Sequence, residues 1–396
     1  MLNFLGLFLI LLLISYILFL GLMRIYHPFW SIQPVYHFYD LKYLWKDGVI
    51  NKNLPEKNKY INFNNIEVKN IKDITSFELK KSVYFIQDHY LNTKDIIYKP
   101  SIENISSYFQ NHNQNCYFSF YKKENYLIDV KNDNIINSSD IIGIVTGRPI
   151  YLHFNKKSKT KSLNVYYIDY LCVDVNERKK NIVPELLQTH EYKQRRLNRN
   201  INVCLFKREG HIMFILPIVL YFAYCYEINN VKTVQLKQNY KCLLINKKNS
   251  RLLLNLLDKT KNKFSLFGIT DLSNILTLIE KKVYYIYILV KYNNPISAYF
   301  YRNPMLKYND NVVLELTSSI CDCDVKLFYL GFIESYINIS KVLNQKYIIL
   351  EEISHNLYLN YTLKSIFTLY FNTPYSYYLY NYSHKILKPE EVFLLI

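Results

Sequence analysis

The sequence predicts a mixed α/β domain carried behind one N-terminal helix of membrane-spanning length. Three observations predict it. Met1 to Met23 is an uncharged apolar run, strand-like and helix-like stretches alternate loosely after it, and half of the 396 residues are hydrophobic, enough for a large core. Only 20% of the chain is charged, which with the aromatic content excludes intrinsic disorder. Eight glycines and eleven prolines exclude collagen-like and Gly/Pro low-complexity classes. The 40 tyrosines, with Lys, Asn and Ile abundant throughout, reflect a bias of the whole chain, so the formal charge of +17 carries little functional information. Lysines are dispersed and no RNA- or DNA-binding signature is present, so a nucleic-acid partner is not expected.

The elements follow in chain order. At about 1.5 Å per residue, a helix over Met1–Met23 reaches ~35 Å, enough for a ~30 Å hydrocarbon layer. A cleaved signal peptide fits worse, because a basic leader region and a small-residue cleavage motif are both lacking. Arg24, Lys42 and Lys46 follow, and positive flanks on that side favour a cytosolic remainder. Ile141–Val145, Asn164–Val173, Val283–Tyr292 and Tyr347–Leu350 read as strands. Phe77–Tyr90, Val183–Leu197, Arg251–Leu257 and Leu327–Leu343 read as helices, the last with apolar residues near helical period. Lys52–Asn65 and Asn155–Lys161 are polar and read as loops. No second span and no fixed-period repeat is visible.

The sequence advertises no activated nucleophile. It has no G-x-S-x-G elbow, Walker A loop, H-E-x-x-H or G-x-G-x-x-G motif. Its seven cysteines are odd in number and scattered, with only Cys321 and Cys323 close together, so neither a disulfide framework nor a zinc site is expected. Lone histidines such as His153 and His211 read as structural. These absences point toward chemistry done by backbone groups and positioning. Tyr166–Leu187 carries the most information: an apolar strand, the turn D-V-N-E-R-K-K-N, and a helix starting near Ile182–Pro184. Free N–H groups at that helix start, behind Arg178, Lys179 and Lys180, suit a pyrophosphate, as in acetyltransferase-like grips on coenzyme A. A solvated basic turn between strand and helix is the plainer alternative.

Three patches then resemble one family, the glycylpeptide N-tetradecanoyltransferases or N-myristoyltransferases. Y-H-P-F-W-S-I-Q-P-V at Tyr26–Val35 is similar to the family's Y-x-F-W-x-T-Q-P-V. I-I-G-I-V from Ile141 and I-D-Y-L-C-V-D-V-N-E-R-K-K-N-I-V-P-E-L-L from Ile168 resemble its G-F-I-S-x-x-P strand and its N-F-L-C-V-H-K-K-L-R-x-K-R-L-A-P-x-L-I segment. Y-Y-L-Y-N-Y at Tyr377–Tyr382 and the apolar end at Ile396 resemble its Y-Y-L-Y-N-W and its C-terminus. The patches keep family order and spacing.

The resemblance implies two acetyltransferase-like halves related by a pseudo-twofold, here 25–215 for acyl-CoA and 216–396 for peptide, behind an anchor at 1–24. It implies myristoyl-CoA as co-substrate without a prosthetic group or metal, peptides beginning with glycine as acceptors, and a monomer. Tyr26, Phe29, Trp30, Val173, Arg178, Lys179, Lys180, Asn181, Ile182, Val183 and Pro184 would hold the coenzyme. The N–H groups of Tyr170 and Leu171 would form an oxyanion hole, and the terminal carboxylate of Ile396 would be the base. Tyr90, Glu351 and Leu395 would meet the peptide.

Departures fall mostly on the peptide side. The family's acidic run aligns with Asn92, Thr93, Lys94 and Asp95, where most of the negative charge is missing. Its R-Y-W-H pattern aligns with Tyr224, Cys225, Tyr226 and Glu227, and its Y-T-A-G-x-x-L-P strand with Gly210–Pro217. Asn181 stands for an Arg and Ile32 for a Thr on the coenzyme side. Glycine N-myristoylation at a membrane surface is the expected activity. An inactive acyl-CoA or lipopeptide-binding membrane protein, and an acyltransferase with another chain length or amine, are the alternatives.

Overall fold

The computed structural model describes residues 2–91, 93–129, 134–156, 159–210, 212, 214–228, 231 and 235–396. Asn92 and His211, both named above, lie outside the described residues. Helix α1 (Leu2–Tyr26) is built mainly from Leu, Ile and Phe without a proline, and Pro28 follows its end. Within it, Gly6–Tyr26 is long and apolar enough to cross a membrane. Helix α2 (Ser76–His89) starts at a capping box in which Thr75 and Glu78 satisfy each other's N–H groups. Helix α3 is Ile182–Leu197. Helix α4 (Val325–Leu343) is capped by the Asp324 carboxylate, which accepts from the Lys326 and Leu327 N–H groups, and stops at Asn344 in the left-handed region.

The strands used below are β1 (Tyr117–Asp129), β2 (Asn134–Lys156), β3 (Lys159–Val173), β4 (Cys204–Glu209), β5 (Val219–Glu227), β6 (Tyr240–Leu244) and β7 (Leu266–Ile269). They continue with β8 (Tyr284–Lys291), β9 (Asn294–Arg302), β10 (Asn311–Cys321), β11 (Tyr347–Glu351), β12 (Thr368–Tyr380) and β13 (Val392–Leu395). They join one continuous sheet in the order β13-β7-β2-β3-β4-β12-β5-β11-β10-β9-β8-β6, with β1 beside the first part of β2.

The order is symmetrical about its middle. From one side, β2 is antiparallel to β3, β3 is parallel to β4, and β4 is antiparallel to β12. From the other, β9 is antiparallel to β10, β10 is parallel to β11, and β11 is antiparallel to β5. Helix α3 makes the crossover between β3 and β4, and α4 makes the one between β10 and β11. Two like units therefore meet at the antiparallel β5–β12 pair. Of Asn155–Lys161, which its polarity marked as a loop, the described residues are strand, with Asn155 paired to Thr160 and Lys156 to Lys159. Thr160 and Lys161 are exposed, and exposure makes a stretch polar whatever its backbone conformation.

Strand β2 is long enough to serve two neighbours on one edge. Its first part pairs with β1, with Gly147 opposite Tyr117, and Tyr151–Phe154 pair with β7. The last strand, β13, lies parallel to β7 from Leu266–Val392 to Ile269–Leu395, so the end of the chain is embedded in the sheet. Gly268 allows this approach, since a Cβ there would stand 2.4 Å from a Leu394 methyl and 2.9 Å from a Leu152 methyl. Gly268→Ala should therefore cost about 1–3 kcal/mol by overpacking. A denaturant titration in detergent should place its midpoint clearly below the parent's, and coincident midpoints would show that β13 seats with slack.

Candidate active site

The site is organised by an irregularity in β3. Thr146 faces Asp169 and Ile144 faces Cys172, so Tyr170 and Leu171 together oppose the single residue Val145. This is a β-bulge, and Tyr170 takes φ +48°, a conformation that a side chain with a Cβ seldom adopts. The Tyr170 ring packs against Tyr90 and Phe109, with centroids 5.7 and 6.2 Å away, and its hydroxyl shares a hydrogen bond with Tyr98. Both bulge residues face a cavity of about 660 Å³.

Two kinds of residue line the cavity. Phe29, Trp30 and Gln33 line it with Val183, Leu187, Gln188, His190 and Glu191 of α3 and Cys204 of β4. Lys207, Arg302 and Glu315 line it with Val313, Ile349, Phe371 and Tyr375. Polar groups of the first set are tied to one another. Gln33 donates to Gln188 at 2.9 Å and accepts from the Tyr380 hydroxyl at 2.8 Å, and His190 bonds Ser119 and Gln194 at 2.7 and 2.9 Å. Burial pushes the Glu191 carboxyl up to about 7, although Arg195 lies 3.4 Å away. Burial likewise pushes the His190 imidazole down to about 4.

At the bulge the main chain is already engaged. The Tyr170 N–H donates to the carboxylate of Asp169 at 2.9 Å, and Arg148 lies 3.8 Å from the other Asp169 oxygen. Arg148 is 1% exposed and its guanidinium sits between the Tyr108 and Tyr167 rings, at 4.9 and 4.8 Å. Its Nε and Nη1 have no hydrogen-bond partner. Farther along, Lys207 donates to Glu351 at 2.9 Å, Tyr221 donates to the other Glu351 oxygen at 2.6 Å, and Arg302 donates to Glu315 at 2.6 Å. Burial opposes the ionisation of Glu351, but Lys207, Arg302 and the Tyr221 hydrogen bond outweigh it and hold its pKa down.

The structure brings Phe29, Trp30, Tyr90, Tyr170, Leu171 and Val183 together on the cavity wall. It does not bring Tyr26, Val173, Ile182, Pro184, Glu351, Leu395 or Ile396 there. Leu395 is buried in β13, and the Ile396 oxygen accepts from the Tyr284 hydroxyl at 2.6 Å. Tyr284 is paired across the ladder with Arg302, which does reach the cavity. Arg178, Lys179, Lys180 and Asn181 occupy the turn before α3, where Arg178 donates to the His89 carbonyl at 3.1 Å and Lys180 to Glu177 at 2.7 Å. Lys179 and Asn181 both have positive φ, and the helix start carries no side-chain cap.

Sequence reasoning missed Arg148, Asp169, Glu191, Lys207, Arg302, Glu315 and Tyr284. Arg148 did leave a signal, as one charge within the otherwise uncharged strand I-I-G-I-V-T-G-R-P-I-Y-L. Among the described residues, no group of three His, Cys, Asp or Glu could hold a metal.

The architecture is shared with solved enzymes. A yeast N-myristoyltransferase with bound myristoyl-CoA superimposes with TM-score 0.71 over 91% of this chain and 94% of its own, at 14% identity. Two further Saccharomyces cerevisiae N-myristoyltransferase structures, one with myristoyl-CoA and one with myristoyl-CoA and inhibitors, give TM-scores of 0.71 and 0.69 at 14% and 15% identity, over 92% and 93% of this chain and 90% and 94% of theirs. This chain has the N-myristoyltransferase fold. Neither a family model nor a curated protein matches its sequence.

The opposed shifts in α3 have a measurable sign. Between about pH 4.5 and about 7 native Glu191 keeps a proton that the unfolded chain has lost, so its contribution to stability falls as pH rises. Native His190 stays neutral down to about 4, so its contribution rises up to about pH 6.5. Glu191→Gln should leave the rise unopposed. In detergent, the variant's denaturation midpoint should gain on the parent's from pH 5 to 7, and parallel profiles would remove Glu191 as the source.

Proposed function

We propose that this chain transfers a myristoyl group from coenzyme A to the N-terminal glycine amine of protein substrates at a membrane surface. The observation that carries the reading is the Tyr170–Leu171 bulge on the wall of the 660 Å³ cavity, in a fold whose solved relatives hold myristoyl-CoA. Helix α1 would be the anchor, 25–215 the half that holds the acyl-CoA, and 216–396 the half that receives the acceptor. The coenzyme would lie along Phe29, Trp30 and the basic turn before α3.

The chemistry needs few groups. A terminal glycine is an ammonium with pKa near ~8, so a base must take its proton before it attacks the thioester. The Ile396 carboxylate, held by Tyr284 beside the Arg302 side of the cavity, is proposed for that role. Attack forms the C–N bond and places negative charge on the carbonyl oxygen, which the bulge N–H groups would stabilise. Collapse breaks the C–S bond, and coenzyme A leaves as the thiolate, which takes up the second proton from the nitrogen so that a neutral amide and a free thiol remain. Asp169 must release the Tyr170 N–H for this to happen. An acyl-cysteine route is disfavoured, because burial raises the pKa of both wall thiols, Cys204 well above its ordinary value and Cys225 to about 12.

One observation favours a second reading, an acyl-CoA-binding protein without turnover: the Asp169 carboxylate occupies the donor that an oxyanion would need. A thiol-release assay with myristoyl-CoA and glycine-first peptides separates the two. Transfer is expected in the parent, with kcat down by about 10²-fold or more when two residues are added after Ile396 and myristoyl-CoA affinity kept. Binding without thiol release would support the second reading, and the absence of any acyl-CoA binding would sink both.

A further inference from the structure

The segment after α1 folds back along it rather than away. The Tyr16 hydroxyl donates to the Tyr39 carbonyl at 3.3 Å, and the Phe19 ring meets both Phe38 and Tyr39 with centroids 5.9 Å apart. Counted at about 1.5 Å per residue, these contacts lie ~8 to ~12 Å from Arg24 toward the start of the helix. Arg24 is the first charge of the chain and belongs at the edge of any bilayer that α1 crosses. The segment is thereby carried below the level of the headgroups.

Its surface suits that depth. Phe38 is 47% exposed, Leu41 60%, Leu44 57% and Trp45 83%, and Lys42 and Lys46 flank them. Folded domains seldom leave so many adjacent large apolar side chains uncovered. Part of the turn's backbone is also answered within the protein, which lowers the cost of facing lipid. The N–H groups of Phe38, Asp40, Leu41 and Tyr43 donate to the carbonyls of Phe214, His37, Tyr39 and Asp40, at 3.0 to 3.2 Å. The Asp40 carboxylate is folded back on His37 at 3.1 Å.

We infer that residues 38–46 are a second membrane contact, which enters the leaflet beside α1 and fixes the tilt of the domain on the bilayer. The occupant of this face is lipid rather than a second copy of the chain. It is continuous with α1, lies at acyl-chain depth, and pairs an indole with lysines whose stems can reach the phosphates. The inference rests on the proposal that α1 spans a membrane. Its consequence is that Phe29, Trp30 and Gln33, cavity-lining residues on the intervening segment, are held near the leaflet surface.

The chain has two tryptophans, Trp30 and Trp45, so Trp30→Phe leaves Trp45 as a single reporter. The full chain is reconstituted in phosphatidylcholine–phosphatidylserine vesicles with acyl chains brominated near the glycerol end or near the methyl end. Trp45 emission should be quenched several-fold more by the shallow bromines, and only weakly by aqueous iodide. Adding Leu41→Glu and Leu44→Glu, both at exposed positions, should reverse that pattern while the chain stays with the vesicles through an alkaline carbonate wash. Retention with Trp45 open to iodide and blind to bromine, or quenching unchanged by the two glutamates, would overturn the inference and leave the anchor standing. Loss of the parent chain in the wash would overturn both.

Discussion

The Tyr170–Leu171 bulge is the constraint on which the rest of the site depends. A tyrosine at positive φ costs on the order of 1–3 kcal/mol, so the surroundings must hold it there. They do so by burying its ring against Tyr90 and Phe109 and by the hydrogen bond to Tyr98, which ties the strand to the segment after α2. The same irregularity takes two residues out of one-to-one pairing with β2 and sets them on the cavity wall. Beyond it β2 changes partner from β1 to β7, and β13 follows β7. The end of the chain and the bulge are thus placed by one strand.

Around this frame the cavity wall carries charges among its apolar side chains. Most are matched: Lys207 with Glu351 and Tyr221, and Arg302 with Glu315. Removing one member of such a buried pair leaves an uncompensated charge, typically worth 3–5 kcal/mol, so these residues act as sets. Arg148, buried beside Asp169 and not itself on the cavity wall, is less well met. Two of its nitrogens go unanswered, and its compensation comes from two tyrosine faces and a long approach to Asp169. Electrostatic satisfaction is therefore poorest at the bulge, where a developing charge would have most use for free donors.

What the sequence disclosed follows a physical rule. The strand, basic turn and α3 were legible because hydrophobic period, a proline in the first turn and a run of cations are local signals. Strands at the observed Ile141–Val145 and Tyr347–Leu350 positions were legible for the same reason, and each proved longer. Lys207, Arg302 and Glu315 were illegible because their roles depend on the pairings of β4, β9 and β10, which no local pattern encodes. Glu351 shows the difference well. Its alignment suggested contact with a peptide, whereas its side chain lies buried beneath Lys207 and Tyr221, away from the cavity wall. The chemical type was readable, but its direction depended on the neighbouring strand.

The junction between α1 and the domain links that helix to the cavity wall more rigidly than its brevity alone implies. The helical ladder continues past Tyr26, since the His27 N–H donates to the Met23 carbonyl and the Ser31 N–H to that of His27. His27 stacks on Phe214 at 3.9 Å, Met23 packs against the cluster that contains Val35 and Ile215, and the Trp30 carbonyl bonds the His37 ring at 2.9 Å. A tether of flexible residues would let the cavity face any direction. Here Phe29 and Trp30 are one helical turn from the end of α1, so the direction of that helix constrains how this part of the cavity wall is oriented. If the helix crosses a bilayer, the domain is held in a restricted set of orientations on the leaflet. In that case the same stiffness demands that the surface beside the helix tolerate lipid, and the exposed side chains there, Phe38, Leu41, Leu44 and Trp45, are large and apolar.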